Sequence, residues 1–315
     1  MQSDKPEQPA YPFPPIGSRK ALARILQCSI EDLTRIEESA DRRYRVKKEP
    51  KKDGTTRICY DARSPLKAMQ ARIKCLILKR VVYPSYLMGG LAERDYIRNA
   101  RMHAGARVMV SEDISRFFPS TSSAVIFDIW RCFFHFPIEV ARTLTRLTAR
   151  KGELPQGAKT SSYLSNLVFW SVEPAMVAAL RSRGFEYTRY IDDVTISSKT
   201  DRSREELLEV FVPLVSMIKR QGLRLKRSKH RLVYAGERME ATGLVVTEHS
   251  VGLDSTRRSG VRALVHQCEA VARTDAKSPA LDVMKRRAAS LVSQYSRLHP
   301  GQGNLLKQRL KSLPK

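Results

Sequence analysis

The chain has 315 residues, 42% of them hydrophobic, so it is long enough for two or three modules and is globular rather than disordered. Its 57 Lys and Arg residues outnumber 32 acidic residues, and the formal net charge of +25 favours a polyanionic partner such as nucleic acid over a merely solvated basic surface or a membrane surface. No run of about 18 apolar residues occurs, which argues against a membrane span, and the N-terminus lacks the pattern of a secretory signal.

The cysteines indicate the compartment in which the protein works. They are odd in number and dispersed along the chain: Cys28, Cys59, Cys75, Cys132 and Cys268. Such a set fits a reducing environment and argues against a structural zinc site. We therefore expect a cytoplasmic protein.

The first helices are predicted to follow a proline-rich arm. Residues 1–17 form this arm because five prolines lie within the first 16 positions. Apolar residues spaced by three and four predict helical structure over residues 18–40, with Ser29 as an N-cap. Another helix is predicted over residues 65–82, with Pro65 near its start.

Strands are predicted at three points in the first two thirds of the chain. Residues 44–61 indicate a hairpin whose turn is Asp53–Gly54. Alternating valines in ARVMVSED predict a strand that leads to Asp113. FEYTRYIDDVTISS, residues 185–198, indicates a second hairpin with two aspartates at its turn.

Helices and strands are interleaved over the rest of the chain without a regular βαβ rhythm. Helical patterns cover residues 122–150, 160–183 and 203–221, and a short strand pair is predicted around RLVYAG and ATGLVVT. Residues 254–315 look all-helical and contain 13 Lys or Arg residues against four acidic ones. These patterns predict an α+β core with a basic helical module at the C-terminus.

A cluster of positive charge follows the predicted helix 203–221. Residues 219–231, KRQGLRLKRSKHR, hold seven Lys or Arg residues and no acidic residue. A cluster of this kind strengthens the expectation of a nucleic-acid partner.

Two adjacent carboxylates in so basic a chain need a physical reason. Asp192 and Asp193 repel each other unless a positive charge lies between or beside them. With Asp113 at the end of a neighbouring strand, they would make an oxygen cage that suits Mg²⁺ and a two-metal phosphoryl transfer. The plainer alternative is a solvated turn, with Asp113 as a helix N-cap.

Five stretches between about residues 57 and 246 resemble the ordered motifs of reverse transcriptases. YIDD resembles the YxDD box of that family, DISRFFPS its first aspartate motif, and LPQGAKTSSYLSN its LPQG motif. GLRLKRSKH resembles the segment with a lysine that follows the box, and RICYDARSPLKAMQARI resembles the upstream fingers motif. Their shared order is far more specific than any one of them.

Two smaller features narrow the resemblance to retron reverse transcriptases. Asn99-Ala100-x-x-His103 is similar to their NAxxH signature, and Ala241-Thr242-Gly243 is similar to their VTG triplet, with Ala in place of Val. Asn99 and His103 are expected in a loop before the Asp113 strand. The sequence leaves open whether they brace the fold or contact RNA.

At three further positions the chain departs from the family pattern. Lys159 and Ser162 replace small or proline residues after LPQG, which puts the local entry into the next helix in doubt. Ile191 stands in the box where retron enzymes most often have Ala. We expect Ile191 to lie beside the primer end and to affect fidelity or processivity more than metal binding.

The resemblance implies roles for the acidic residues and for two positions after the first of them. Asp113, Asp192 and Asp193 would hold two Mg²⁺ ions, with Asp193 supporting the site more than bridging the metals. The backbone at Ile114 would touch the incoming triphosphate. Phe118 would be the steric gate that excludes a ribose 2′-OH, although the neighbouring aromatic positions could simply be core.

It also implies roles for residues from other motifs. Gln156 and Gly157 would shape the pocket around the nascent base pair and its template. Lys229 would be either a general acid for the departing pyrophosphate or a simple phosphate contact. Arg57 would clamp the triphosphate, since a guanidinium suits bidentate phosphate contacts.

The fold implied by the resemblance is the α+β right-hand polymerase fold. It would comprise the flexible arm of residues 1–17, N-terminal helices and fingers over 18–105, a palm over 106–250 and a basic helical thumb over 251–315. A further fingers segment, about residues 122–160, would lie within the palm range.

The implied function is RNA-directed DNA synthesis in a bacterial antiphage defence retron. The enzyme would use deoxynucleotides to copy a cognate structured noncoding RNA, and it would start from a guanosine 2′-OH to give a branched RNA–DNA product (msDNA). An effector protein would be a further partner, and no membrane would be involved. Two alternatives stay open: another bacterial reverse transcriptase, from a diversity-generating element or a group II intron-like lineage, and a non-catalytic RNA-binding scaffold.

Overall fold

The computed structural model describes residues 7–50, 54–275 and 277–314. The first six residues of the predicted arm and Asp53 of the predicted turn lie outside this range. The chain forms two compact units, one from residues 1–96 and 107–232 and the other from residues 97–106 and 233–315. The finer division into arm, fingers, palm and thumb stays a prediction.

Helices and antiparallel strands are interleaved, which confirms the predicted α+β class. The helices are α1 (Arg19–Ile25), α2 (Ile30–Ser39), α3 (Leu66–Leu76), α4 (Tyr96–Arg101), α5 (Phe117–Ser120), α6 (Ser123–Asp128), α7 (Ile138–Thr148), α8 (Ser161–Leu167), α9 (Glu173–Ser182), α10 (Arg204–Arg220), α11 (Ser255–Thr274), α12 (Pro279–Leu298) and α13 (Pro300–Lys311). The strands are β1 (Tyr44–Pro50), β2 (Thr56–Ala62), β3 (Val108–Asp113), β4 (Phe185–Tyr190), β5 (Asp193–Ser198), β6 (Arg231–Tyr234), β7 (Met239–Ala241), β8 (Leu244–Val246) and β9 (Val251–Gly252).

The N-terminal helices begin where the sequence predicts them. The Ser29 hydroxyl accepts a hydrogen bond from the Asp32 amide at 3.0 Å, which confirms Ser29 as the N-cap of α2. The helix predicted to run to Val82 was too long, because α3 ends at Leu76. Val82 instead exchanges two backbone hydrogen bonds with Ala10, a long-range pairing that local periodicity does not reveal.

The predicted hairpin of residues 44–61 is confirmed as β1 and β2, which pair from Tyr44 with Ala62 to Pro50 with Thr56. A four-stranded sheet has the order β4-β5-β3-β6, and within it both β4 and β3 pair with β5 in the antiparallel direction. Val108 and Val110 of β3 are buried as predicted, but Met109 between them is buried as well, so β3 is covered on both faces rather than on the one face that alternation indicates.

Two long helical patterns are interrupted in the structure. Between α6 and α7 the chain passes through a five-residue π-helical turn, and the Trp130 ring stacks on Phe134 and Phe136 at centroid distances of 4.9 and 6.3 Å. A second break separates α8 from α9, where Pro174 lies in the first turn of the new helix. Periodicity shows the apolar faces but not these bends.

The second unit contains a small sheet in the order β7-β8-β9 and the three C-terminal helices. These helices confirm the helical C-terminal module, and their core includes Val261, Val292 and Tyr295. The predicted pairing of RLVYAG with ATGLVVT is wrong: β6 lies at the edge of the four-stranded sheet, while β8 pairs with β7 and β9. No helix in the described part of the chain is both long enough and apolar enough to cross a membrane.

Helix α10 is fixed at its start by a reciprocal capping box. The Ser203 hydroxyl accepts from the Glu206 amide at 3.2 Å, and the Glu206 carboxylate accepts from the Ser203 amide at 2.8 Å. Both contacts satisfy amide groups that have no partner within the helix.

Replacing Ser203 with Ala should lower the free energy of unfolding by about 1 kcal/mol, because one amide of the first turn loses its acceptor. Ser203→Asp keeps a side-chain acceptor and should stay within a few tenths of the wild-type value. Urea unfolding followed by circular dichroism measures both variants. Equal unfolding midpoints for the two variants would contradict this role of the cap.

Candidate active site

A two-residue loop joins β4 to β5 and carries the first aspartate of the YIDD stretch. Tyr190 pairs with Asp193, so only Ile191 and Asp192 reverse the chain. Ile191 has a φ of +61°. Short hairpin loops require such values, but β-branched residues rarely adopt them. A β-branched side chain suits a strand, but Ile191 lies in the turn.

The third aspartate joins this turn from the neighbouring strand. Asp113 ends β3 and lies directly opposite Asp193 in the antiparallel register. The Ile114 amide donates to the Asp192 carbonyl at 2.8 Å, which ties the end of β3 to the loop. The structure thus brings all three predicted carboxylates to one corner of the sheet.

Asp192 and Asp193 lie in an environment that disfavours their negative charge. Burial, and then repulsion from Asp192 and Asp113, raises the pKa of Asp193 to about 6. The pKa of Asp192 is also raised, chiefly by burial and further by Asp113, although Arg57 and Lys229 oppose the increase. A cation bound here would relieve both effects.

Two positive side chains from distant motifs reach the same corner. The Lys229 ammonium lies 3.4 Å from an Asp113 carboxylate oxygen, and 54% of the Lys229 side chain is exposed. Arg57 lies on the exposed strand β2, and its charge acts on Asp192. Of the two side chains predicted to meet a triphosphate, Lys229 contacts an aspartate directly, and Arg57 acts on Asp192 through its charge.

The donor set fits a hard divalent cation. Among the described residues, no three His, Cys, Asp or Glu side chains are arranged as a ready-made metal cage. Mg²⁺, however, is usually held by one or two carboxylates that leave positions for substrate phosphates and water. The close carboxylates of Asp113 and Asp192, with the raised pKa of the latter, match this open kind of site.

The LPQG loop is attached to the hairpin of β1 and β2. The Gln156 carbonyl accepts from the Tyr60 amide at 2.7 Å, and the Arg150 guanidinium lies 4.1 Å from the Tyr60 ring centroid. Gly157 has a φ of +99°, and a Cβ there would lie 3.3 Å from the Tyr60 carbonyl oxygen. Gly157 therefore permits both the backbone conformation and the close approach.

The aromatic pair after Asp113 divides into one core residue and one accessible residue. Phe117 is 2% exposed and stacks on Phe169, whereas Phe118 is partly buried at the edge of the core. Ile114 is fully buried, and its amide is already used by the Asp192 carbonyl. A triphosphate contact with that amide would require this hydrogen bond to break.

The NAxxH motif lies in the second unit. Asn99 is in helix α4 rather than in the expected loop, and His103 follows in a turn. Each is only 1% exposed, and burial lowers the pKa of His103 to about 3, so its imidazole is neutral at physiological pH. Their burial favours the bracing role over direct contact with RNA.

Sequence reasoning missed an ion pair beneath the YIDD turn. Arg189 of β4 and Glu173 of α9 are buried to 0% and 1% exposure and form a bidentate pair with N–O distances of 2.6 and 2.8 Å. One signal could have revealed it. Arg189 occupies the same strand face as Tyr187, two residues earlier, and an inward Arg needs a buried carboxylate.

The site also depends on a glycine that the sequence analysis did not single out. A Cβ at Gly89 would lie 2.6 Å from both the Ile191 amide nitrogen and the Ile191 side chain. The Asn166 side chain donates to the Gly89 carbonyl at 2.8 Å and fixes this approach. Gly89 thus supports the turn from the side.

The chain matches a known protein family and is similar to several curated proteins. The family model described as "Reverse transcriptase (RNA-dependent DNA polymerase)" matches residues 49–264. Retron Se72 reverse transcriptase of Salmonella heidelberg (strain 579083-10) is 30% identical over 92% of this chain and 78% of its own length. Retron Ec48 and retron Ec86 reverse transcriptases of Escherichia coli are 30% and 28% identical, over 82% and 81% of this chain and 66% and 79% of their own lengths.

The raised pKa of Asp193 predicts a pH-dependent stability in the absence of divalent cations. The folded state binds the Asp193 proton more tightly than the unfolded chain does. Protonated Asp193 therefore adds to the free energy of unfolding, fully below about pH 3.9, and this contribution is lost as the pH rises through about 6. Asp193→Asn is uncharged throughout and should be more stable than wild type above pH 6, by on the order of 2 kcal/mol.

Thermal unfolding in EDTA across pH 4 to 8 measures this difference. It should shrink towards pH 4, and Mg²⁺ should reduce it at pH 7.5 by stabilising the charged wild-type site. Parallel pH curves for the two proteins would show that the Asp193 carboxylate is not destabilised in the folded state.

Proposed function

This chain belongs to the reverse transcriptase family as an RNA-directed DNA polymerase of the retron type, with the right-hand fold, and on that premise we propose its substrates and site chemistry. It copies a cognate structured noncoding RNA into DNA and begins at the 2′-OH of a guanosine in that RNA. The product is branched: an RNA joined to DNA through a 2′ linkage.

The observation that carries this proposal is the meeting of Asp113, Asp192 and Asp193 beside Lys229. Asp113 and Asp192 would hold two Mg²⁺ ions, and Asp193 would support them from its place opposite Asp113. When bound, Mg²⁺ lowers the pKa of the attacking hydroxyl and stabilises the charge on the departing pyrophosphate. The oxygen of the hydroxyl forms a bond to the α-phosphorus as the bond to pyrophosphate breaks.

Basic side chains bind and orient the deoxynucleoside triphosphate. Arg57 lies on the exposed part of strand β2, and its charge acts on Asp192, so its guanidinium would clamp phosphate oxygens. Lys229 exchanges its contact with Asp113 for the triphosphate when the nucleotide enters, and from there it can donate a proton to the leaving pyrophosphate.

Neutral groups complete the nucleotide pocket. Gln156 and Gly157, held to Tyr60 of β2, line the side that faces the new base pair and its template. Ile114 keeps the Asp192 loop in place through its amide. Phe118 places an aromatic ring where a ribose 2′-OH would lie, so deoxynucleotides are selected by exclusion.

The remaining partners are inferred from charge and from the retron relatives. The net charge of +25, the basic stretch of residues 219–231 and the helices of residues 254–315 suit an RNA that is held through its phosphates and 2′-hydroxyl groups. The RNA–DNA product stays bound to the enzyme. An effector protein completes a bacterial antiphage defence system.

The branched product provides the direct test of function. Protein co-expressed with its flanking DNA should yield a short DNA whose mobility shifts after treatment with debranching enzyme. Asp192→Asn and Asp113→Asn should each reduce its amount by at least about 100-fold, because each removes a charged metal ligand. RNA alone, unchanged by either substitution, would instead identify an RNA-binding scaffold, and an unbranched DNA would identify another kind of reverse transcriptase.

Phe118 should determine sugar selection. Phe118→Ala should increase ribonucleotide incorporation relative to deoxynucleotide incorporation on the order of 10- to 100-fold, since the ring no longer blocks the 2′-OH. Phe118→Tyr keeps the ring and serves as the matched control. Single-nucleotide primer extension with each triphosphate measures the ratio of kcat/KM values, and an unchanged ratio in Phe118→Ala would exclude the gate.

A further inference from the structure

The buried ion pair under the active-site turn uses every hydrogen-bond donor of its guanidinium. Arg189 Nε and Nη2 donate to the two Glu173 carboxylate oxygens. The remaining donors reach backbone carbonyls of Ser165, Asn166 and Ile191 at 3.2, 3.1 and 3.2 Å. Five N–H groups therefore meet five oxygens, which is the full capacity of an Arg side chain.

This network connects three separate elements. Ser165 and Asn166 lie in α8, Glu173 begins α9, and Ile191 is the first residue of the hairpin loop. The Tyr187 hydroxyl also donates to Glu173 at 2.7 Å, and the Phe169 ring lies 5.1 Å from the guanidinium carbon. Arg189 thus connects the Ile191 carbonyl, which directly precedes Asp192 in the chain, to both α8 and α9.

Stability alone does not explain why a charge pair is buried here. Removing two ions from water costs roughly as much as their attraction returns, and well-packed apolar side chains often replace such pairs without loss of stability. Burial would by itself lower the pKa of Arg189, but Glu173 raises it overall, so the guanidinium stays charged. The pair provides hydrogen bonds of fixed geometry, which apolar side chains cannot provide.

The Ile191–Asp192 loop needs restraint by hydrogen bonds from residues outside the loop. Ile191 holds a left-handed φ of +61° that its β-branched side chain disfavours. Asp192 follows immediately, so any relaxation at Ile191 would move the Asp192 carboxylate. Gly89 packs against the Ile191 amide and side chain, and the Arg189 hydrogen bond restrains the Ile191 carbonyl.

We propose that Arg189, oriented by Glu173, is a positioning residue that holds the Ile191–Asp192 loop in the conformation that places the Asp192 carboxylate for metal binding. The proposal rests on the proposed function of Asp192 as a metal ligand. Arg189 itself touches neither substrate nor metal. Its effect is on the geometry of the loop.

The decisive variant replaces the whole buried network with apolar side chains. Arg189→Met, Glu173→Leu and Tyr187→Phe together remove the charges and the hydroxyl, so no polar side chain of the network is left buried without a partner. This triple variant should fold with a melting temperature near that of wild type. Its kcat should fall about 10- to 100-fold, with the KM for deoxynucleotide within about threefold, because a small misplacement of a reacting group is enough for such a loss.

A second readout does not depend on catalysis. Mn²⁺ binding to the folded protein, measured by electron paramagnetic resonance, should be at least about fivefold weaker in the triple variant. Arg189→Lys adds an independent case, since it keeps the charge but has three donors and cannot hold Glu173 and the Ile191 carbonyl in the same way. It should show the same loss of kcat.

Arg202 offers a matched control at the opposite end of the hairpin. Its guanidinium pairs with Glu206 at 2.8 Å and donates to Ser198 at the end of β5 and to the Arg183 carbonyl. Arg202→Met removes a comparable brace far from the aspartates. It should lower the melting temperature while kcat and Mn²⁺ affinity stay at wild-type values.

The outcomes separate this inference from the proposed function. If Asp192→Asn is inactive while the folded triple variant keeps wild-type kcat and Mn²⁺ affinity, positioning by Arg189 is refuted and the role of Asp192 stands. If Asp192→Asn keeps full activity, the proposed function fails first. Loss of the folded state in both the triple variant and Arg189→Lys would make the network a purely structural element, which also overturns the inference.

Discussion

The reversal of the chain within two residues is the constraint on which the acidic site depends. Tyr190 and Asp193 are already paired, so Ile191 and Asp192 must complete the turn between β4 and β5. Side chains alternate between faces along a strand, and a slip of one residue would move Asp193 to the other face, away from Asp113. The hairpin register therefore decides both which carboxylates meet and how strongly they repel each other.

Charge is used in two opposite ways around this loop. Lys229 and Arg57 remain accessible near the carboxylates, where a cationic side chain can move from a protein partner to a phosphate. Arg189 is sealed beneath the loop and is fully committed to Glu173 and to backbone carbonyls. The first arrangement suits exchange during turnover, and the second suits a fixed geometry, because a saturated buried guanidinium has no alternative partner.

The sequence predicted those parts of the molecule that depend on local pattern. Spacing and turn signals identified the Ser29 cap, the hairpin of residues 44–61 and the strand leading to Asp113, and the family resemblance pointed to the stretches that meet at the acidic corner. Wrong predictions arose where distant contacts decide the structure. The helix ending at Leu76 is one example, because the residues beyond it pair with Ala10.

The pairing of β6 shows the same limit for strands. Alternation predicts that a segment is extended but does not choose its neighbour, and β6 joins β3 rather than β8. The Arg189–Glu173 pair was missed for a related reason. The two residues lie 16 positions apart, in a strand and a helix, and although the strand pattern places Arg189 on the inner face, nothing local identifies Glu173 as its partner.

The contact between Gly89 and Ile191 makes the two positions a single unit of shape. The Ile191 side chain and amide occupy the space that a side chain at position 89 would need. Gly90 follows with a positive φ of its own. A bulkier residue at position 89 would have to displace the loop that carries Asp192. The residue tolerated at one position therefore depends on the residue at the other. A YIDD segment grafted into another scaffold would have to be transferred together with the segment that contains Gly89.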